Sequence, residues 1–413
     1  PLAGGPGTSV TITGSGVSTD PGDVRVLFGG VMGRVTSASP AQVTALVPAN
    51  AVNGPVTVIA TARRATGPAF DAGQAGPLPR PTWRAGDATD VRFDPVTEQL
   101  VDVTRLGVTA DPVTTRAQVE ALVAPLGGVI AGTNPILNYY LLEFPANGTL
   151  AGLSAIARTL SASPLLRLVR REGFSEISSI SIDARSANPA AGALNLPYLG
   201  VAFAQAGIFD AIDAIRQTPP FVDYGATFQP VKVGIVDTGF APFDQAEFVS
   251  GGINVVSLFR PNAQGVFVQS PINLSSDPSP SGHGTKVTSI IAALNTGSAG
   301  SGVFGGLFAP GEAQFETIVY GLDDYSDSQI TNALTDLAER GDIDVVNLSF
   351  GKDWPGPSPE FEAEKAFYGD LFALFGGRTL IVTSAGNAGV QAAFHTPSIL
   401  ESALPYVMSI AAV

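Results

Sequence analysis

Five short runs in the second half of the chain are apolar on both faces: Val231 to Val236, Phe315 to Tyr320, Val345 to Phe350, Leu380 to Thr383 and Val407 to Val413. A strand with one face in water alternates apolar and polar residues. A strand that does not alternate must be covered on both sides, the situation of a parallel sheet flanked by helices. Helical stretches fit between these runs, for example Ser328 to Arg340 and Pro359 to Phe375. The alternation predicts a doubly wound α/β domain over 197–413. In such sheets ligands bind beyond the carboxyl ends of the strands, so chemistry-bearing residues are sought there.

The first half follows other periods. Ser9 to Thr13, Val24 to Phe28, Val43 to Val47 and Val56 to Ala60 read as strands spaced at roughly ten residues by Gly, Pro and Asn, which predicts a small β-sandwich over 1–62. Residues 63–95 are rich in Gly, Pro and Ala and read as a linker. Over 96–176 a β-α-β-β-α-β order emerges, the ferredoxin-like α+β arrangement. Val119, Leu122, Val123 and Leu126 form one helical stripe, and Leu150, Leu153, Ile156 and Leu160 another, with Thr149 as its N-cap and Gly127-Gly128 ending the first. Residues 177–196 read as a second linker.

Composition narrows the function classes. The net charge of −14 disfavours nucleic acid and anionic membrane surfaces as partners. No apolar run approaches the roughly 18 residues of a membrane-spanning helix. The chain has no cysteine, which excludes disulfides, thiolate metal sites and a cysteine nucleophile. It begins at Pro1 without an initiator Met and ends in a strand-like run, so a longer native chain is expected.

Three motifs meet the strand-end criterion. Asp237 closes the run Ile235-Val236-Asp237-Thr238-Gly239. Gly282-His283-Gly284-Thr285 precedes the helical stretch Lys286 to Leu294, and Ser384-Ala385-Gly386-Asn387-Ala388-Gly389 follows another strand. A neutral imidazole, a carboxylate and an amide are the groups that nucleophilic acyl transfer needs. The imidazole takes a proton from a hydroxyl and returns it to the leaving amine. The carboxylate fixes the tautomer, and the amide stabilises the oxyanion. His283 suits the first role, Asp237 the second and Asn387 the third. Asp237 taken alone also suits a turn or cap. His395, the only other histidine, has no general-base context and reads as structural. Asp323, Asp324 and Asp327 read as a solvated loop and helix start, with a calcium site as the alternative.

These motifs carry a resemblance. "VKVGIVDTGF", "SGHGTKVTSIIAAL", "DVVNLSFG", "LIVTSAGNAG" and "LPYVMSIAAV", in that order, resemble the subtilisin-like serine proteases (subtilases). The resemblance implies endopeptidase activity on protein or peptide substrates, with catalytic roles for Asp237, His283 and Asn387. It implies a substrate cleft lined by Ser349, Phe350 and Gly351, and a pocket for the side chain before the scissile bond lined by Ser384, Ala385 and Gly386. No cofactor is required; a calcium ion in a structural role is allowed. The ferredoxin-like segment then resembles a subtilase propeptide, an intramolecular partner that blocks the cleft and makes an autoinhibited precursor, with residues near 170–185 beside Ser349 to Gly351. "GTSVTITGSGVS", "VLFGG" and "ALVPANAVNGPVTVIAT" resemble an IPT/TIG immunoglobulin-like domain. A secreted or cell-surface location follows from the resemblance alone.

One departure accompanies it. The family's nucleophile lies in a Gly-Thr-Ser-Met-Ala type segment after the last strand seen here, and the chain holds none; Gly7-Thr8-Ser9 stands in the β-sandwich. The expectation is a serine beyond Val413 and an inert 413-residue chain. The alternative from another class is a pseudoprotease or adhesion protein that binds through its immunoglobulin-like domain.

Overall fold

The structure is a computed structural model that describes residues 2–60, 63–177, 231–241, 254–273, 276–279, 281–292, 315–386 and 392–411. The N-terminal part folds as two packed antiparallel sheets. Its strands are β1 (Ser9–Thr13), β2 (Val24–Phe28), β3 (Val31–Met32), β4 (Arg34–Ser39), β5 (Gln42–Leu46), β6 (Gly54–Ala60) and β7 (Arg63–Phe70). One sheet runs β1-β5-β4 and the other β3-β2-β6-β7. Alternate residues of β2 and β5 (Val24, Val26, Phe28, Val43, Ala45) point into a common core closed by Phe70, whose ring meets Phe28 edge-on at 5.2 Å. Gly29 turns the chain after β2 at φ +57°, and a Cβ there would collide with the Val52 carbonyl. The sandwich therefore extends past residue 62, which corrects the linker expected over 63–95. Seven of the eight β7 residues are exposed, so this edge strand lacks an apolar alternation to announce it. That region also holds β8 (Val91–Asp94), which pairs with the next strand.

The second part has the expected ferredoxin-like order: β9 (Gln99–Ala110), α1 (Arg116–Val123), β10 (Val129–Asn134), β11 (Tyr139–Glu143), α2 (Leu150–Ser161) and β12 (Leu166–Gly173). The antiparallel sheet runs β10-β11-β9-β12. Thr115 and Gln118 form a capping box at α1, and Thr149 caps α2 by accepting from Gly152 N. The two helical stripes bury Val119, Val123, Leu153 and Leu160 against Leu106, Val108 and Leu142 of the sheet. A two-residue strand follows, β13 (Glu176–Ile177).

The third part is built on a seven-stranded sheet. Its strands are β14 (Val231–Asp237), β15 (Asn254–Pro261), β16 (Phe267–Ser270), β17 (Phe315–Gly321), β18 (Val345–Leu348), β20 (Leu380–Ser384) and β22 (Val407–Ile410); β19 (Phe350–Asp353) and β21 (His395–Thr396) lie outside it. The order is β16-β15-β17-β14-β18-β20-β22, parallel throughout except for the β15–β16 hairpin. Helices α3 (His283–Ala292), α4 (Asp327–Arg340) and α5 (Pro359–Ala373) accompany it. The run Val345 to Phe350 is not one strand. It breaks at Ser349, and β19 leaves the main sheet to join a three-stranded sheet, β13-β19-β21. The second linker and the start of this domain, expected over 177–196 and from 197, lie almost wholly outside the described residues.

The three parts share one core. Leu27, Met32 and Ile59 of the sandwich and Ile136, Tyr139 and Leu141 of the second part cluster with Leu334, Leu337, Phe372 and Phe375 of the third. The connection between the first two parts is itself pinned: Thr82 bridges Thr133 of β10, and Trp83 N donates to Gln264 O at 3.0 Å. A buried charge cluster joins β12 to the third part. Lys352 Nζ lies 2.6 Å from Asp327 Oδ1 and 2.8 Å from Glu364 Oε1, and Arg170 pairs with Glu364 and, at 3.4 Å, with Asp327. Asp327 also accepts from Gly173 N at 3.1 Å. The expectation of a solvated acidic loop thus holds for Asp323, which is exposed and pairs with Arg260, and fails for Asp327. A buried carboxylate needs paired cations, and β12 and β19 supply them across the chain.

Candidate active site

β14 carries Asp237 at its carboxyl end, and α3 begins at His283, so the topology brings both to one edge of the sheet. His283 Nδ1 lies 2.7 Å from Asp237 Oδ1, with the two side chains 4% and 0% exposed. Three further contacts hold the carboxylate and the strand end. Thr238 N donates to Asp237 Oδ1 at 2.7 Å, the Tyr325 hydroxyl donates to the same oxygen at 2.9 Å, and Leu322 N donates to the Asp237 carbonyl. Glycines make the close approach sterically feasible. Gly239 adopts φ +137°, where an L side chain is strained, and a Cβ on Gly284 would collide with the Gly239 carbonyl. Gly284 N donates to Thr238 Oγ1 at 2.7 Å, and Asp277 accepts from both Thr285 N and Oγ1, locking the first turn of α3 onto the strand end.

Tyr325 was not legible as a site residue. It stands between Asp324 and the N-cap Ser326 at φ +55°, in a stretch with no motif. Burial, then the Asp237 carboxylate, push its phenol well above its ordinary value, so it stays protonated and donates. Its ring meets that of Phe350 edge-on at 5.6 Å. The Phe350 side chain is accordingly buried in the core and does not line an open surface.

The residues expected to line a substrate cleft lie on or beside β19. Ser349, at the break between β18 and β19, accepts from Asn347 Nδ2 at 2.9 Å. Gly351 pairs with Glu176 and Phe350 with Ile177, antiparallel. On the other side Phe174 bridges Ser326, and Ser175 N donates to the Tyr325 carbonyl at 3.1 Å. Residues 174–177 therefore run as an extended segment between Tyr325–Ser326 and Phe350–Gly351, as expected for the stretch near 170–185; its remainder lies outside the described residues. Ser384 at the end of β20 donates to the Phe350 carbonyl at 3.4 Å, Ala385 N donates to the Ile410 carbonyl, and Gly386 takes φ +89°. Asn387, the expected oxyanion donor, lies outside the described residues. Among the described residues no helix is long and apolar enough to cross a membrane.

A buried imidazole beside a carboxylate is an arrangement that can serve as a general base when the carboxylate holds one tautomer. Residues 229–413 match the subtilase family, and residues 1–74 match the IPT/TIG domain. Subtilisin DY from Bacillus licheniformis is 28% identical over 174 residues, 40% of this chain and 50% of that protein, so the chain spans half the length of this curated relative. Among solved structures, fervidolysin from Fervidobacterium pennivorans, described as a keratinolytic enzyme related to subtilisin, is 16% identical. That match covers 77% of this chain and 45% of the other, with a TM-score of 0.44. The epidermin leader peptide processing serine protease from Staphylococcus aureus is also 16% identical, covering 74% and 68%, with a TM-score of 0.37.

Proposed function

We propose that this chain, an IPT/TIG domain joined to a subtilase-family segment, carries the aspartate–histidine half of a serine endopeptidase site. The observation that supports the reading best is the buried 2.7 Å contact between His283 Nδ1 and Asp237 Oδ1. With Nδ1–H held by the carboxylate, Nε2 is the basic nitrogen. It takes the proton of a serine hydroxyl as that oxygen attacks the peptide carbonyl, then gives it to the leaving amine. The Asn387 amide donates to the oxyanion. The reading assigns the serine to a longer form of the chain, because these 413 residues hold no Gly-Thr-Ser-Met-Ala segment. The 413-residue chain by itself is then inert: in subtilisins, loss of the serine costs about 10⁶ in turnover.

The ferredoxin-like part is the propeptide of this reading. Its strand Glu176–Ile177 pairs with Phe350 and Gly351, where substrate backbone would bind, which supports an autoinhibited precursor; action outside the cytoplasm is the setting that the subtilase and IPT/TIG matches fit. The test is a longer chain treated with a fluorophosphonate. Covalent labelling of the folded protein, abolished by His283→Ala, is the expected result. A folded longer chain that resists the reagent overturns the peptidase reading and leaves a binding or adhesion role.

A further inference from the structure

One sheet of the sandwich, β3-β2-β6-β7, is apolar on both faces. Val24, Val26, Phe28, Val56 and Ala60 point into the sandwich's own core. Arg25 and Leu27 of β2, Met32 of β3 and Ile59 of β6 point the other way, and the three apolar ones are buried as well. The outward positions of the other sheet, Thr11 and Thr13 of β1 and Gln42 of β5, are polar and exposed. An antiparallel sheet with one face in water alternates, and a contiguous apolar outer face marks a contact. The end of α5 makes that contact. Leu27, Met32 and Ile59 cluster with Phe372, Leu374 and Phe375, and a Cβ built on Gly376 would stand 3.6 Å from Ile59 Cγ2. Beside them Arg25 pairs with Asp370 at 3.0 Å, and Arg167 of β12 pairs with the same buried carboxylate.

The sandwich also holds the ferredoxin-like part. Met32 N donates to the Ile136 carbonyl at 2.9 Å, Ala49 N donates to the Pro112 carbonyl at 2.7 Å, and Arg34 pairs with Asp111 at 2.9 Å. That part in turn meets α4 through polar groups. The Tyr139 hydroxyl lies 2.9 Å from Ser328 Oγ, Asn134 Nδ2 donates to Thr335 Oγ1 at 2.9 Å, and Ser328 N donates to Glu172 Oε1. Water takes over such bonds when the part lifts away, so each adds little to its retention. Water does not compensate the loss of an apolar contact. Resting on the peptidase reading, we infer that the IPT/TIG sandwich is the anchor of the autoinhibitor: its outer face grips the end of α5 and keeps the ferredoxin-like part seated with Glu176–Ile177 on β19. The two N-terminal parts act as one body with two attachment sites on the subtilase segment. Attachment at the first raises the effective concentration at the second. The partner of this face of the sandwich is thus the peptidase itself, and its role is to regulate it.

The experiment uses the longer chain and follows the rate at which a fluorophosphonate labels it, which reads how often the cleft is uncovered. Ile59→Asp puts a charge into the outer face and leaves the sandwich's own core intact. It is expected to label about 100-fold faster than the native chain, the lower end of what a second linked contact adds. Asp370→Asn, which removes the charge that both arginines meet, should label at least about tenfold faster. Thr11→Asp, on the exposed face of the other sheet, should keep the native rate. Urea transitions establish that each variant is folded, and Ile59→Ser serves if the aspartate variant is not. Folded outer-face variants that label at the native rate overturn the anchor while the peptidase reading stands, as does an equal acceleration by Thr11→Asp. A native chain that labels as fast as the variants overturns the anchor and the autoinhibition together. A folded chain that never labels overturns the peptidase reading and takes the anchor with it.

Discussion

Asp237 Oδ1 receives three donors at once, from Thr238 N, the Tyr325 hydroxyl and His283 Nδ1. The first fixes the carboxylate to its own strand end, and the second ties it to the segment leading into α4. Tyr325→Phe deletes a neutral donor to a buried carboxylate and is expected to cost about 1.5–3 kcal/mol of stability, read by urea denaturation. In the labelling-competent chain it should lower kcat with little change in KM, because the phenol positions the base pair and does not touch substrate. Asp237 and His283 were legible in the sequence because a strand-end Asp and a Gly-flanked His are local patterns. Tyr325 was not, because its partner lies 88 residues away and nothing in Asp324-Tyr325-Ser326 hints at it. His395 was read as structural. The burial is as expected, but its place between Gly351 and Gly386 depends on a β21–β19 pairing that no local pattern reveals.

At the scale of elements, β12, α4, α5 and β19 meet at three buried carboxyls and two buried cations. Asp327 and Glu364 take Lys352 and Arg170, and Glu172 accepts from Ser328 N at 3.0 Å. Burial, then the neighbouring Asp327, push the Glu172 carboxyl up to about 8. The native state therefore holds this proton more firmly than the unfolded chain, whose Glu titrates near 4.5. Stability from this group is complete below about 4.5 and is lost as pH rises through about 8. Glu172→Gln has no such proton to lose. The stability of the variant relative to the native chain should grow across that interval, measured as urea midpoints at a series of pH values; a constant difference would exclude a protonated Glu172. Such charge clusters do not show in a sequence, because each member alone reads as a surface residue. The strand β9 likewise runs from Gln99 to Ala110 with a charged residue, Arg105, in its interior. Arg105 is tolerated in mid-sheet because Glu143 and the carbonyls of Arg84 and Ala85 receive its guanidinium.

For the whole molecule, the order of parts was legible from the change in hydrophobic period, from two in the sandwich to mixed, then to runs apolar on both faces. Their joining was not. The ion pair between Arg25 and Asp370 spans 345 positions, and the shared core draws on all three parts. Pairing at such distances is decided by shape after each part has folded, and periodicity carries no record of it. The clamp at Thr82 and Trp83, set between β10 and the β15–β16 hairpin, has a mechanical outcome. A protease nick anywhere in 178–230 would yield two polypeptides that stay nested. They should separate on a denaturing gel yet co-elute on gel filtration, because the severed N-terminal piece remains fastened by its own tether, its salt bridges and its apolar seam. Departure of that piece would then be a slow event with its own rate, and the nick only its first step.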